Sequence, residues 1–263
     1  MSELQGQSMG EQFSVLARRS IVRSFRQPVV ITPVLAFPLF FLAVNAAGLK
    51  SATDIPNFPT DNYLTFALAT AFIQVGMSSV SISGGGLAED IQSGFLKRLS
   101  LTKMRGTALV LGHLAGTGVM AVLSSILYII VALIFGASIK AGVAGGVVCI
   151  LLALLVALAF GSIGIMAALR TGSTQAVQVV FPLLFVLLFF SSQSIPRNLI
   201  DQDWFRHVAT VNPMSYLVEA PRSLIIKGWD AQALIKGVLI AAAILALTMS
   251  FAGGAMRQGF KER

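Results

Sequence analysis

From residue 29 to residue 253 the chain is a succession of apolar runs whose interiors hold no Asp, Glu, Lys or Arg. Nothing else in the sequence constrains the fold as strongly. Hydrocarbon offers no partner to a backbone N–H or C=O, so a run that enters a bilayer must satisfy its own backbone. A helix does so locally, and about 20 apolar residues carry it across a ~30 Å core. The wider composition agrees: 56% of the 263 residues are hydrophobic and only 11% are charged. A soluble domain is nearer to one quarter charged. The expectation is an all-α polytopic membrane protein, a single transmembrane domain over 1–263.

Six spans are expected, at 29–48, 63–83, 107–135, 142–169, 176–190 and 233–253. Pro33, Pro38 and Pro182 fall inside spans, where proline is tolerated but kinks the helix. No secretory signal is expected, because the first apolar run follows a polar segment longer than an n-region and is itself of spanning length. Residues 1–28 place Phe13, Ala17, Ile21 and Phe25 on one helical face, with Arg19, Arg23 and Arg26 opposite. That pattern suits an interfacial helix with its arginines toward lipid phosphates. With both termini on one side of the membrane, twelve of the 19 Lys and Arg fall on that side and seven on the other. Basic residues favour the cytoplasmic flanks, so both termini are expected in the cytoplasm of a cell bearing this chain in its inner membrane. The same clustering accounts for the net charge of +8 without nucleic acid. Gly112-x-x-x-Gly116 and Gly142-x-x-x-Gly146 carry the small-residue spacing that lets helices approach closely.

Two polar segments break the pattern. The first, 87–105, mixes Glu89, Asp90, Lys97 and Arg98 with apolar Phe95, Leu96 and Leu99. It is longer than a plain connection between membrane helices needs to be. Gly94 is expected to divide it into two short helices, and its charges and apolar anchors suit docking to a partner. The second, 191–232, is too polar to span yet holds the apolar stretches around Tyr216 and Ile225. It reads as two short re-entrant helices on the external side, broken at Asn212-Pro213.

Several chemistries lack their signatures. There is no G-x-x-x-x-G-K-[ST], so any ATP used is bound elsewhere. The histidines, His113 and His207, and the lone Cys149 have no metal-ligand spacing around them. His113 is expected in a polar contact near the cytoplasmic start of the third span, and Cys149 in the apolar interior. Residues 161–164 read Gly-Ser-Ile-Gly, with the serine one place from an intramembrane-protease pattern. No catalytic residue is expected. The spans lack the buried ionisable groups of ion-coupled carriers. Asn45, Gln74, Gln178 and Gln193 are the polar candidates along a pathway or in interhelical hydrogen bonds.

The stretches AEDIQSGFLKRL (88–99) and NPMSYLVEAPRSL (212–224), with six spans arranged around them, resemble the two hallmark segments of ABC-2 type transporter permeases. Within that family the chain most resembles the drug-export branch typified by the daunorubicin-resistance permease. Polysaccharide and teichoic-acid exporters are relatives. The resemblance implies the membrane half of an exporter, working as a homo- or heterodimer, each protomer bound to a separate cytoplasmic ATPase that holds ATP and Mg. It implies that Arg19, Arg23, Arg26, Glu89, Asp90, Gly94, Phe95, Leu96, Lys97, Arg98 and Leu99 lie in the coupling surface. It also implies that Asn212, Pro213, Tyr216, Glu219 and Arg222 lie in external re-entrant helices. Pro221 departs from the pattern and argues against an unbroken helix over 215–226. A secondary carrier or channel working without ATP, and a non-transporting membrane scaffold, are the alternatives from other classes.

Overall fold

A computed structural model describes residues 9–26, 28–100 and 106–259, and among them every regular element is helical. An 18-residue amphipathic helix, α1 (Met9–Arg26), precedes α2 (Pro28–Gly48). After a short 3₁₀ turn come α3 (Tyr63–Ser79), a six-residue π-helical stretch (Val80–Gly85) and α4 (Gly86–Gln92). Then follow α5 (Phe95–Ser100), α6 (Gly106–Ile134), α7 (Gly142–Thr171) and α8 (Thr174–Phe189). A 3₁₀ turn leads to α9 (Asp203–Val211), α10 (Pro213–Ile226) and α11 (Ala231–Gly259).

Five helical stretches are long and apolar enough to cross a membrane: 31–48, 63–92, 106–134, 142–171 and 231–252. The remaining expected span, the fifth at 176–190, is α8, of 16 residues. At 1.5 Å per residue that is about 24 Å, short of the ~30 Å core. The second span also differs from expectation. No break separates 63–83 from the segment at 87: α3, the π stretch and α4 run on as one rod of 30 residues. Only after Ser93 and Gly94 (φ 70°) does the chain turn into α5, so Gly94 divides the segment as its conformational freedom permits.

The rod α3–α4 is the centre of the bundle. Of its window, 83% is buried inside the chain, against 17% for those of α2 and α11. Lipid tails are as apolar as a leucine core, so helix association rests on close packing, and small residues supply it. A Cβ on Gly84 would stand 2.4 Å from the Gly164 carbonyl carbon, and one on Gly164 2.4 Å from the Val80 oxygen. A Cβ on Gly76 would meet Val156 at 2.6 Å. Those three glycines set the α3–α7 crossing.

Proline leaves its own demand in α2. Pro38 has no N–H for the carbonyl of Val34, four residues earlier. Tyr128 of α6 donates its hydroxyl to that oxygen at 2.7 Å, and the tyrosine is fully buried. Pro221 was the stated departure, and here the expectation is corrected. α10 runs unbroken from Pro213 to Ile226 with Pro221 inside it. The helix is packed against α3, α7 and α11, and that tertiary burial outweighs one missing hydrogen bond.

Candidate functional site

Helices run alternately between two ends of the bundle. One end gathers α1, α4 and α5, and the other gathers α9 and α10. At the first end α1 lies along α6. A Cβ on Gly112 would meet Leu16 at 2.6 Å, and one on Gly116 would meet Ser20 Oγ at 2.3 Å. The glycine pair at 112 and 116 is therefore the groove that receives α1. The pair at 142 and 146 receives no helix among the described residues, since Gly142 opens α7 at φ 66° with nothing within 4 Å of its Cβ position.

Seating in that groove turns α1 away from the face expected for it. Of the expected face Ala17 is buried beside Leu16 and Ile21 is half-buried, whereas Phe13 and Phe25 stay exposed. It also corrects the arginines. Arg19 and Arg23 face protein rather than lipid phosphate. Arg19 grips Asp90 with both Nη atoms, at 2.7 and 2.8 Å. Arg23 Nη1 reaches Asp90 Oδ1 at 3.3 Å and the Gly86 carbonyl at 3.2 Å, while its Nη2 pairs with Glu89. From α6, His113 Nε2 lies 3.3 Å from Asp90 Oδ2. Asp90 is buried under these three partners, and its hydrogen bond is the chief cause that raises the Arg19 pKa. The Arg19 guanidinium also stacks 4.1 Å from the ring centroid of Phe95 on α5. Helices α1, α4 and α6 thus converge on one carboxylate, and α5 joins them through Arg19. Arg26 and Arg98 are exposed. The side chains of Lys97 and Leu99, and residues 101–105, lie outside the described residues. Leu96 is half-buried. His113 completes the clamp, and its position about two helical turns from the start of α6, beside Gly112, is the signal available for it.

At the other end the second polar segment folds into α9 and α10. Asn212 caps α10 by accepting the Met214 N–H at 2.9 Å, with Pro213 at the first helical position where its missing N–H costs nothing. The same amide donates to the carbonyls of Leu187 and Phe190, at 2.6 and 3.0 Å, and ties α10 to the end of α8. Tyr216 donates to the Thr210 carbonyl at 2.8 Å. Glu219 accepts from Ser192 and Arg197. Arg222 is buried and donates to backbone carbonyls of α3 and of the turn after α8. All five residues therefore fix the geometry of one compact cap.

A family model described as ABC-2 type transporter matches residues 11–226. The chain belongs to the ABC-2 type transporter family. No curated protein matches it. The family match starts within α1 and ends on the last residue of α10, so the clamp, the α9–α10 cap and the spans between them fall inside it. This ABC-2 chain is a multi-pass membrane protein and a transport component, of the kind that serves as permease subunit in an ABC transporter. Permeases of the family normally work with an ATPase subunit and dimerise.

The four polar candidates of the ABC-2 chain separate into different roles. Asn45 bonds within its own helix, to the Phe41 carbonyl at 2.8 Å. Gln178 accepts from Ser81 at 3.0 Å across α8 and the π stretch. Gln193 lends its backbone carbonyl to Arg222, while its side-chain oxygen is buried without a partner among the described residues. Gln74, in the middle of α3, is buried with neither amide atom partnered among the described residues. The structure does not bring the four together.

Proposed function

We propose that this chain is the membrane subunit of an exporter for hydrophobic or amphipathic compounds, drug-like or lipid- or glycan-linked, powered by a separate cytoplasmic ATPase. The observation that carries the reading is the Asp90 clamp. A partner that moves α4 and α5 must move α1 with them, because Arg19 and Arg23 bind both carboxylates of α4. In this proposal the clamp end faces the cytoplasm, with both termini there, and α8 is a sixth, short span. The exposed Arg98 and Arg26 are free to select the ATPase by charge. ATP closure then switches the bundle between two arrangements. The α9–α10 cap lies on the far side, and a second protomer completes the pathway. Apolar span interiors suit a substrate with a hydrophobic body.

Co-expression with a P-loop ATPase subunit tests this. Co-purification is expected, together with ATPase activity stimulated by amphipathic compounds. Arg98→Glu is expected to abolish co-purification while leaving the melting temperature of the chain unchanged. Transport by the chain alone in proteoliposomes, without nucleotide, would sink the proposal.

A further inference from the structure

Beside the α9–α10 cap a cavity of about 560 Å³ opens between the start of α3, the turn after α8 and the junction of α10 with α11. Its charged lining is Arg197, Arg222 and Lys227 against Glu219 and Asp230. Both carboxylates are already engaged. Glu219 accepts from Ser192 Oγ at 2.8 Å and from Arg197 Nη2 at 2.5 Å. Asp230 Oδ1 accepts the N–H groups of Gln232 and Ala233, each at 3.1 Å, at the start of α11. Two cations are left. Lys227 is exposed and forms no ion pair among the described residues.

Arg222 is 7% exposed and meets only carbonyl oxygens: Phe66 at 3.4 Å, Ser192 at 2.5 Å and Gln193 at 2.6 Å. Its guanidinium stands 3.7 Å from the centroid of the Phe66 ring. A guanidinium carries five N–H donors, so three carbonyls leave two of them without an acceptor among the described residues. Desolvation lowers its pKa to about 10, and Glu219 one turn away opposes that shift, so the group is cationic at neutral pH. Glu219 acts on Arg222 only from a distance and is bonded to Arg197, so the buried cation has carbonyl dipoles but no direct ion-pair partner among the described residues.

We propose that this cavity binds an anionic group of the phosphate or carboxylate class, held between the two spare N–H donors of Arg222 and the ammonium of Lys227. The site stands apart from the export reading and does not depend on it. The anion has two sources, the head of a surrounding lipid or a free solute, and a binding experiment separates them.

The full chain in a non-ionic, phosphate-free detergent is dialysed to equilibrium against labelled inorganic phosphate, labelled dihexanoyl phosphatidate below its micellar concentration, and labelled dihexanoylglycerol. Saturable binding of phosphate assigns a free anion. Saturable binding of phosphatidate without phosphate assigns a lipid head. In either case Lys227→Ala is expected to weaken binding roughly fivefold, as for a partly exposed charge pair, and Lys227→Glu more. Lys227 is exposed and its side chain makes no hydrogen bond or ion pair among the described residues, so these variants separate binding from folding, and Arg222→Lys is the follow-up. No saturable anion binding, equal binding of the neutral glyceride, or unchanged binding in Lys227→Glu overturns the proposal.

Discussion

Replacing Asp90 by Asn keeps the volume of the side chain and removes the buried charge on which α1, α4 and α6 converge. In the native chain that carboxylate takes two Arg19 bonds at 2.7 and 2.8 Å, an Arg23 contact at 3.3 Å and a His113 contact at 3.3 Å. Breaking a buried pair by removing one partner costs about 3–5 kcal/mol when the orphaned charge stays buried. Arg19 and Arg23 retain side-chain exposures of 39% and 23%, so both rehydrate in part, and the expected loss falls to roughly 2–3 kcal/mol. For a chain of this size that is a fall of roughly 5–10 °C in melting temperature. The chain carries its own reporter. Cys149 is the single cysteine, fully buried in α7, so a thiol-reactive fluorogenic dye reports its exposure on heating. Arg19→Gln should be destabilising too, and the double variant should cost less than the two singles added, with a coupling of about 1.5–3 kcal/mol for a charge-assisted bidentate bond. A melting curve for Asp90→Asn within about a degree of the native chain, or strict additivity with Arg19→Gln, would refute the clamp.

Other outcomes follow from the same packing. Tyr128→Phe leaves the Val34 carbonyl, orphaned by Pro38, without a donor and should cost about 1–3 kcal/mol in the thiol-exposure melt. Gly84→Ala and Gly164→Ala each push a methyl into backbone of the opposite helix; both should destabilise by about 1–3 kcal/mol, whereas Gly48→Ala, with open space at its Cβ, should not. Asn212→Ala removes a helix cap and two bonds to the end of α8, so a loss of at least 1–2 kcal/mol is expected, with faster proteolysis between α8 and α10.

Helix positions were the legible part, because apolar run length is a direct imprint of bilayer thickness. Runs at 107–135 and 142–169 appear as α6 and α7 within two residues at every boundary. Gly94 was legible for a different reason, as a residue free to take positive φ between two helix-forming stretches. What failed to show was the rotation of each helix about its axis. The stripe Phe13–Ala17–Ile21–Phe25 has sound amphipathic spacing, yet the groove at Gly112 and Gly116 takes only Ala17 of it, together with Leu16 and Ser20. In lipid both faces of a helix can be apolar, so periodicity no longer tells inside from outside. The arginines were misread with it, since the carboxylates that hold them lie about 70 residues away in sequence. His113 gave a position and no partner. Pro221 shows the limit of a local rule, since burial of α10 against three helices decides there.

The wide turn at Val80–Gly85 has a geometric consequence beyond its width. An α-helix advances about 100° per residue, and a π turn absorbs one extra residue, so everything downstream lags by about that angle. Gly86, whose Cβ position lies 3.5 Å from His113 and 3.7 Å from Arg23, and Asp90 one turn later owe their azimuth to this lag. With a plain α-helical register the carboxylates would swing out of reach of the first helix, and the rod would pass the clamp without engaging it. Six residues of loosened winding therefore act as a phase adjuster, deciding which way the far end of the central rod faces.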